Sequence, residues 1–187
     1  MNIAEYLQKD AGFSPETAKQ IDDLFDDKSL LKGHQLLKDG SRSKKVFFIE
    51  KGLLRLYYVK DGKDITRHFY TEGGIYVPIE NVFLNQHYPY NLELLENSII
   101  RTVDYSTLEK HIDEHVKLQH FAHYVAISAI KQLSEHLYSL QFQSALERYN
   151  ILLKTNPDIL FRAPLGHIAS YLGITQQTLS VIRSAKS

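Results

Sequence analysis

The chain has 187 residues, 43% hydrophobic and 24% charged, a composition that fills a core and excludes intrinsic disorder. Its 22 Lys and Arg exactly offset its 22 Asp and Glu, so overall charge does not by itself mark a nucleic-acid binder. The absence of cysteine excludes disulfides, thiolate metal sites and cysteine-ligated iron–sulfur clusters. The start, MNIAEYLQKDAGF, lacks the basic-then-apolar form of a leader, and no run of about 18 apolar residues occurs, so a soluble cytoplasmic protein with no membrane partner is expected.

From Asn2 to Leu24 apolar side chains recur at Ile3, Tyr6, Leu7, Ala18, Ile21 and Leu24, with Ser14-Pro15-Glu16 as a helix start. Two short helices are expected there, covering one end of a sheet. From Ser29 the period shortens. Apolar or alternating runs fall at Leu30 to Leu37, Val46 to Glu50, Leu53 to Val59, Ile65 to Tyr70, Ile75 to Ile79, Leu92 to Leu95 and Ile99 to Val103, separated by turn pairs such as Asp39-Gly40, Asp61-Gly62 and Gly73-Gly74. Short strands at this spacing predict an antiparallel sandwich, roll or barrel.

Around Ser106 the period becomes helical again. His115 to Gln143 carries Leu118, Ala122, Val125, Ala129, Leu133, Leu137 and Leu140 at steps of three and four without Pro or Gly, which predicts one helix about 42 Å long. A domain of this size cannot cover such a helix, so Leu118, Val125, Ala129 and Leu133 are expected to face a second copy in a homodimer. Ser144 to Leu153 continues as a separate helix that Asn156-Pro157 ends.

The last stretch, Pro164 to Lys186, reads PLGHIASYLGITQQTLSVIRSAK. Ile168, Ala169, Leu172, Ile174, Leu179 and Ile182 are spaced for two short helices across a tight turn, with Gly173 taking positive φ and Thr175 capping the second helix. This is the pattern of a helix-turn-helix, though an ordinary helical hairpin shares it. Thr175, Gln176, Gln177, Ser180, Arg183 and Ser184 are the candidate DNA contacts, since glutamine can pair bidentately with adenine and serine or arginine can reach bases and phosphates. From Gln141 onward five cations stand against Glu147 and Asp158, an uneven distribution that suits double-stranded DNA as partner.

His111-Ile112-Asp113-Glu114-His115 matches H-x-x-E-H, the spacing of inverted zinc peptidases. It lies where strands give way to the long helix, in a polar turn with no third ligand in view, so no metal site, catalytic residue or enzyme activity is assigned to it. His120 and His123 lie farther along the helix. The aromatic set Phe69, Tyr70, Tyr76, Phe83, Tyr88 and Tyr90 could line an apolar effector pocket, with Phe69, Tyr76, Phe83 and Tyr90 as the leading candidates, and plain sheet packing is the competing reading.

Strands, one long helix and a helix-turn-helix, in that order, make the chain resemble the Crp/Fnr family of bacterial transcription regulators. The resemblance rests on Lys32-Gly33-His34, Asp39-Gly40, the run Val46 to Arg55, and Asp61-Gly62-Lys63. Ser144-Ala145-Leu146-Glu147-Arg148-Tyr149 followed by His167 to Thr175 looks like a sub-branch common in Bacteroidetes. It implies an α+β fold: an antiparallel β-roll (double-stranded β-helix, cyclic-nucleotide-binding-like) with N-terminal helices over 1–114, a dimerisation helix over 115–143, and a DNA-binding helix-turn-helix over 144–187. It also implies effector control by a population shift that respaces the two recognition helices.

Two departures qualify what the resemblance implies. Cyclic-AMP-binding members have an Arg and a small residue in the phosphate cassette, whereas this chain has Tyr90-Asn91-Leu92 there and no Lys or Arg from His68 to Ile100. Without the Arg fork a cyclic phosphodiester lacks its counter-charge, so no cofactor is assigned and any small-molecule effector is expected to differ from cyclic AMP. Val181 stands where relatives carry an Arg, and the chain stops just after the recognition helix, so the wing that often follows is expected to be missing or shortened. The competing reading is a small-molecule-binding roll whose helical tail mediates protein association without DNA.

Overall fold

The computed structural model describes residues 2–184. Two helices open the chain, α1 (Ile3–Ala11) and α2 (Pro15–Asp22). Asn2 and Glu5 form a reciprocal capping box on α1, and Ser14 accepts from the Thr17 amide at the start of α2, with Pro15 in the first turn. Their apolar faces, Ile3, Leu7, Phe13, Ala18 and Ile21, bury against Phe48 and Leu118.

Eight strands follow among the described residues: β1 (Asp26–Leu30), β2 (Gln35–Leu37), β3 (Lys45–Lys51), β4 (Leu54–Lys60), β5 (Lys63–Tyr70), β6 (Ile75–Tyr76), β7 (Asn91–Leu94) and β8 (Ser98–Asp104), with the short helix α3 (Ile79–Val82) between β6 and β7. They form two four-stranded antiparallel sheets, β1-β8-β3-β6 and β2-β7-β4-β5. Two expected strands are redrawn. The run Leu30 to Leu37 is split between sheets, because Gly33 turns the chain at φ 83°, and Ile75 to Ile79 ends after Tyr76 where Pro78 leads into α3.

Between the sheets lie Leu37, Phe47, Ile49, Leu54, Leu56, Tyr76, Tyr88, Leu92, Leu94 and Ile100, all buried. Gly52 holds φ 121° against Ser98, a close approach that leaves no room for a Cβ.

The chain then forms α4 (Tyr105–Glu114) and α5 (Val116–Phe142), broken at His115, whose φ −127° and ψ 103° are extended. The break dissolves the H-x-x-E-H geometry, because His111 and His115 do not share one continuous helix, and His111 Nδ1 lies 3.0 Å from the Thr107 carbonyl. Four helices complete the described chain: α6 (Ala145–Thr155), α7 (Ile159–Arg162), α8 (Leu165–Tyr171) and α9 (Gln176–Ser184). Ser144 caps α6 with a second capping box to Glu147.

One core cluster joins these helices to the roll. Leu53, Phe69 and Leu95 pack with Tyr149, Leu152, Ile159, Ala163, Ile168, Ala169, Leu172 and Leu179. The second sheet is therefore covered on both faces, which is why Leu53 to Leu56 is buried without alternation.

Candidate functional site

The polar edge of the C-terminal helix pair is set by the turn between α8 and α9. Gly173 takes φ 64°, its amide donates to Ser170 O at 3.1 Å, and the Ile174 amide donates to Ala169 O at 3.0 Å. Thr175 caps α9 by accepting from the Thr178 amide at 3.1 Å. Ile168, Ala169, Leu172 and Leu179 are buried beneath, which fixes the rotation of α9 and leaves Thr175, Gln176, Gln177, Ser180 and Ser184 exposed. Arg183 is half-buried. The Ser180 and Ser184 hydroxyls donate back to Gln176 O and Ser180 O, so each presents a lone pair outward. Val181 is exposed, in line with the polar positions.

The cations of this region are used differently from what their count suggests. Arg148 pins the end of α5, donating through Nε to Leu172 O at 2.8 Å and through Nη1 to Gln143 O at 2.5 Å. Arg162 pairs with Glu72 and Glu96 of the roll, each at 2.7 Å. The bonds to Glu96 and then Glu72 push the Arg162 pKa further up, so the charge is permanent. Two of the five cations are thus neutralised or turned inward, and Lys186 lies outside the described residues; Lys154 is exposed.

A second, buried charge site stands beside them. Arg55 on β4, 1% exposed, binds Asp64 of β5 at 2.7 Å, Glu93 of β7 at 3.0 Å and the Thr66 hydroxyl at 2.9 Å. Its guanidinium lies 4.3 Å over the Tyr57 ring, and its Nη1 is 3.1 Å from His167 Nε2 on α8. The hydrogen bond from Arg55 holds the Asp64 carboxyl below its ordinary range against the opposing effect of burial. The Ser170 hydroxyl accepts from the Thr66 amide at 2.9 Å, so α8 is hydrogen-bonded to β5. None of this network was singled out in the sequence. Its signal was there, because an arginine inside the apolar run Leu53-Leu54-Arg55-Leu56 can be buried only with partners.

The four residues expected to line an effector pocket are not gathered. Phe69 faces the C-terminal helices, with its ring 5.5 Å from Tyr171, while Tyr76 is inside the roll. Phe83 is 59% exposed and packs edge-on against Tyr105, beside a shallow cleft lined by Lys44, Asp104 and Glu109. Tyr90 sits at the rim of the interior cluster, 5.8 Å from Tyr88. Of the wider aromatic set, Tyr70, Tyr76, Tyr88 and Tyr90 do come together in the roll: the Tyr76 and Tyr88 hydroxyls meet at 2.6 Å, and Tyr70 is edge-on at 5.3 Å from Tyr76. Burial raises the Tyr70 pKa to about 12 and those of Tyr76 and Tyr88 as well, so all three hydroxyls stay neutral.

A cation does reach this rim from just outside the stretch that lacks one. Arg67 lies 4.7 Å over the Tyr90 ring. In the β4–β5 ladder Leu56 pairs with His68 and Tyr57 with Thr66, so Arg67 is the extra residue of a bulge.

The long helix is largely bare. Leu118 is 3% exposed and packs with α1, α2 and Phe48, which removes it from the set facing a second copy, because the N-terminal helices cover the first turns of α5. Val125 is half-buried, while Ala129, Leu133, Ile130, Leu137 and Leu140 are exposed. Among the described residues no group of three His, Cys, Asp or Glu side chains is arranged to hold a metal ion, and no helix is long and apolar enough to cross a membrane.

Residues 27–115 match the family model of the cyclic nucleotide-binding domain, from the roll's first strand to the break before α5. No curated protein sequence matches the chain. Among solved structures, FixK2 from Bradyrhizobium japonicum superposes with a TM-score of 0.75 at 20% identity, over 86% of this chain and 83% of that one. A CooA mutant from Carboxydothermus hydrogenoformans gives 0.74 at 20% identity, over 99% and 84%. The catabolite activator protein of Thermus thermophilus gives 0.61 at 15% identity, over 96% and 85%. Residues 27–115 are therefore similar to a cyclic nucleotide-binding domain, and the mixed fold of antiparallel sheets and a long helix around them is the fold of these solved structures.

Proposed function

We propose that the chain is a homodimeric, DNA-binding transcription regulator of the Crp/Fnr type. In this reading α8 and α9 form a helix-turn-helix, α5 is the dimer seam, and residues 1–114 are a sensor or scaffold. The observation that carries it is the edge of α9: buried Leu179 fixes the helix while Gln176, Gln177 and Ser180 stand exposed beside the capped N-terminus. That end of a recognition helix enters the major groove, where the two glutamines suit adenine.

The dimer draws support from Ile130, Leu133 and Leu137, which are 67%, 51% and 54% exposed on one side of α5. An apolar stripe of this size on a soluble chain is covered in the working assembly. Ala129 and Val125 flank it, and Leu118 is replaced in the seam by these later residues. The effector, where one acts, differs from cyclic AMP. The tyrosine cluster occupies the roll interior, and Arg67 is engaged with Tyr90 at the rim. A ligand there would have to displace tyrosines.

Selection of bound duplexes from a random pool tests the function. Inverted half-sites spaced by about one helical turn, with binding that weakens steeply as salt rises, are the expected outcome. A protein that stays monomeric and ignores every duplex at low ionic strength refutes it.

A further inference from the structure

Where the roll, the long helix and the C-terminal helices meet, one tyrosine is held by two imidazoles. Tyr171, the last residue of α8, stacks flat on His136 of α5, with ring centroids 4.5 Å apart and planes 14° from parallel. The Phe69 ring also lies 5.5 Å from it, tilted, and His68 of β5 6.4 Å from it, edge-on, both on the roll. His68 in turn meets Tyr70 edge-on at 4.5 Å. The side chain thus ties three parts of the chain together.

We propose that Tyr171, in ring contact with both His68 and His136, is a proton-released clasp. It holds the C-terminal helix pair on the roll while both imidazoles are neutral and lets go when they take up protons. The inference concerns regulation of the helix pair proposed above to bind DNA, and its consequence for DNA rests on that reading.

The groups around the two histidines are the reason. His68 faces His136 across the junction and has Arg67 beside it on β5, while His136 has Arg148 of α6 and Arg67 nearby. Glu80 of α3 acts on Tyr70, Tyr76 and Tyr88 rather than on either imidazole. Protonating both histidines would therefore add two cations to a junction that already holds two arginines. Burial, then the facing His136 and Arg67, depresses the His68 pKa to about 4. Burial, then Arg148 and Arg67, lowers that of His136.

A third histidine at the same junction behaves alike. His167 Nε2 lies against the Arg55 guanidinium, which can only donate, so the ring nitrogen must be an unprotonated acceptor. Burial and Arg55 lower the His167 pKa, with Asp64 and Glu93 opposing.

The sign follows from linkage. A base whose pKa falls on docking favours the docked form fully above its free value near 6.5. That contribution erodes as pH drops below the free value and is exhausted at about 4, where His68 is protonated even when docked.

Because the chain has no cysteine, Lys60→Cys with Lys154→Cys places one spin label on the roll and one on α6 at two exposed positions. Diluting the labelled chain with unlabelled chain isolates the distance within one subunit. We expect one narrow distance at about pH 8 that broadens and lengthens by about pH 5, while circular dichroism shows the strands intact. His68→Gln with His136→Gln should lower the midpoint and leave only the contribution of His167. Adding His167→Gln should keep the narrow distance throughout, since glutamine stays neutral and can still accept from Arg55, and Tyr171→Ala should show the long distances already at pH 8. A wild-type distance that does not change, or a midpoint that the double variant leaves unmoved, overturns the clasp. Should the double variant fail to fold, half-buried His136→Gln alone must lower the midpoint, and an unmoved midpoint is equally fatal. The measurement needs no DNA. A clasp that opens in a protein without affinity for any duplex supports the clasp and removes only the DNA reading.

Discussion

The interior of the roll and its junction with the C-terminal helices both bury tyrosines, and they bury them in opposite company. Inside the roll, Tyr76 and Tyr88 satisfy each other at 2.6 Å among Leu54, Leu92 and Ile100. At the junction, Tyr171 is set among histidines, with Arg55 and Arg162 bound to four carboxylates close by. Apolar packing does not respond to pH or salt in the physiological range, whereas a buried ionic network is held only while every partner is in place and correctly charged. The roll is built to stay closed, and the junction is built so that a change of charge can open it.

Removing Arg55 should break that contrast most sharply. Arg55→Ala leaves Asp64 and Glu93 without their counter-charge under α8, at a cost of about 3 kcal/mol, the low end for a buried pair because the Asp64 carboxylate is half exposed and water takes up part of the loss. Denaturant unfolding followed separately by probes in the roll and in α9 should then split, with the C-terminal helices released first. Arg55→Met, which removes the charge but keeps volume, should cost less than the alanine variant.

Leu92→Ala is the matching cut inside the roll, where Leu92 is fully buried. It should lower stability by about 3 kcal/mol without splitting the transition, because the cavity lies in the unit that both probes depend on. A split there, and a single transition for Arg55→Ala, would reverse the comparison.

On the exposed edge of α9, Gln177→Ala and Arg183→Ala should each weaken binding to a selected operator by about 1–3 kcal/mol. Thermal stability should barely move for Gln177→Ala, since its side chain is exposed. Fluorescence anisotropy and calorimetry on the same preparations separate the two effects. The smallest change is Thr175→Ala, which removes the cap on α9 and should cost about 1 kcal/mol of local stability, read as faster amide exchange in α9.

Much of this architecture could be read in advance, and particular residues show why. A helix expected over His115 to Gln143 is found at Val116–Phe142, because three-and-four periodicity without Pro or Gly is a local property. Gly173 and Thr175 take the conformations their turn chemistry demands. The effector residues fared otherwise. Strand spacing places Phe69 on a face, but which face is inside depends on the bulge at Arg67, and one extra residue reverses the alternation. Leu118 fits a seam by period alone, yet α1 and α2, about a hundred residues earlier, claim it.

The charge count was legible and misleading at once. Arg148 and Arg162 contribute to the basic excess after Gln141, but they are spent on helix carbonyls and on Glu72 and Glu96. What the sequence determined by itself was the set of local structures: the helices, the strands, the turn before α9 and the polar edge that follows it. Only the tertiary structure decided which residues meet: Arg55 with Glu93 and His167, Arg162 with Glu72, and Tyr171 with His68 and His136. The reason is physical. Turn chemistry and periodicity act over a few residues, whereas contacts between distant strands and helices are fixed by register, bulges and packing, which no short window of sequence contains.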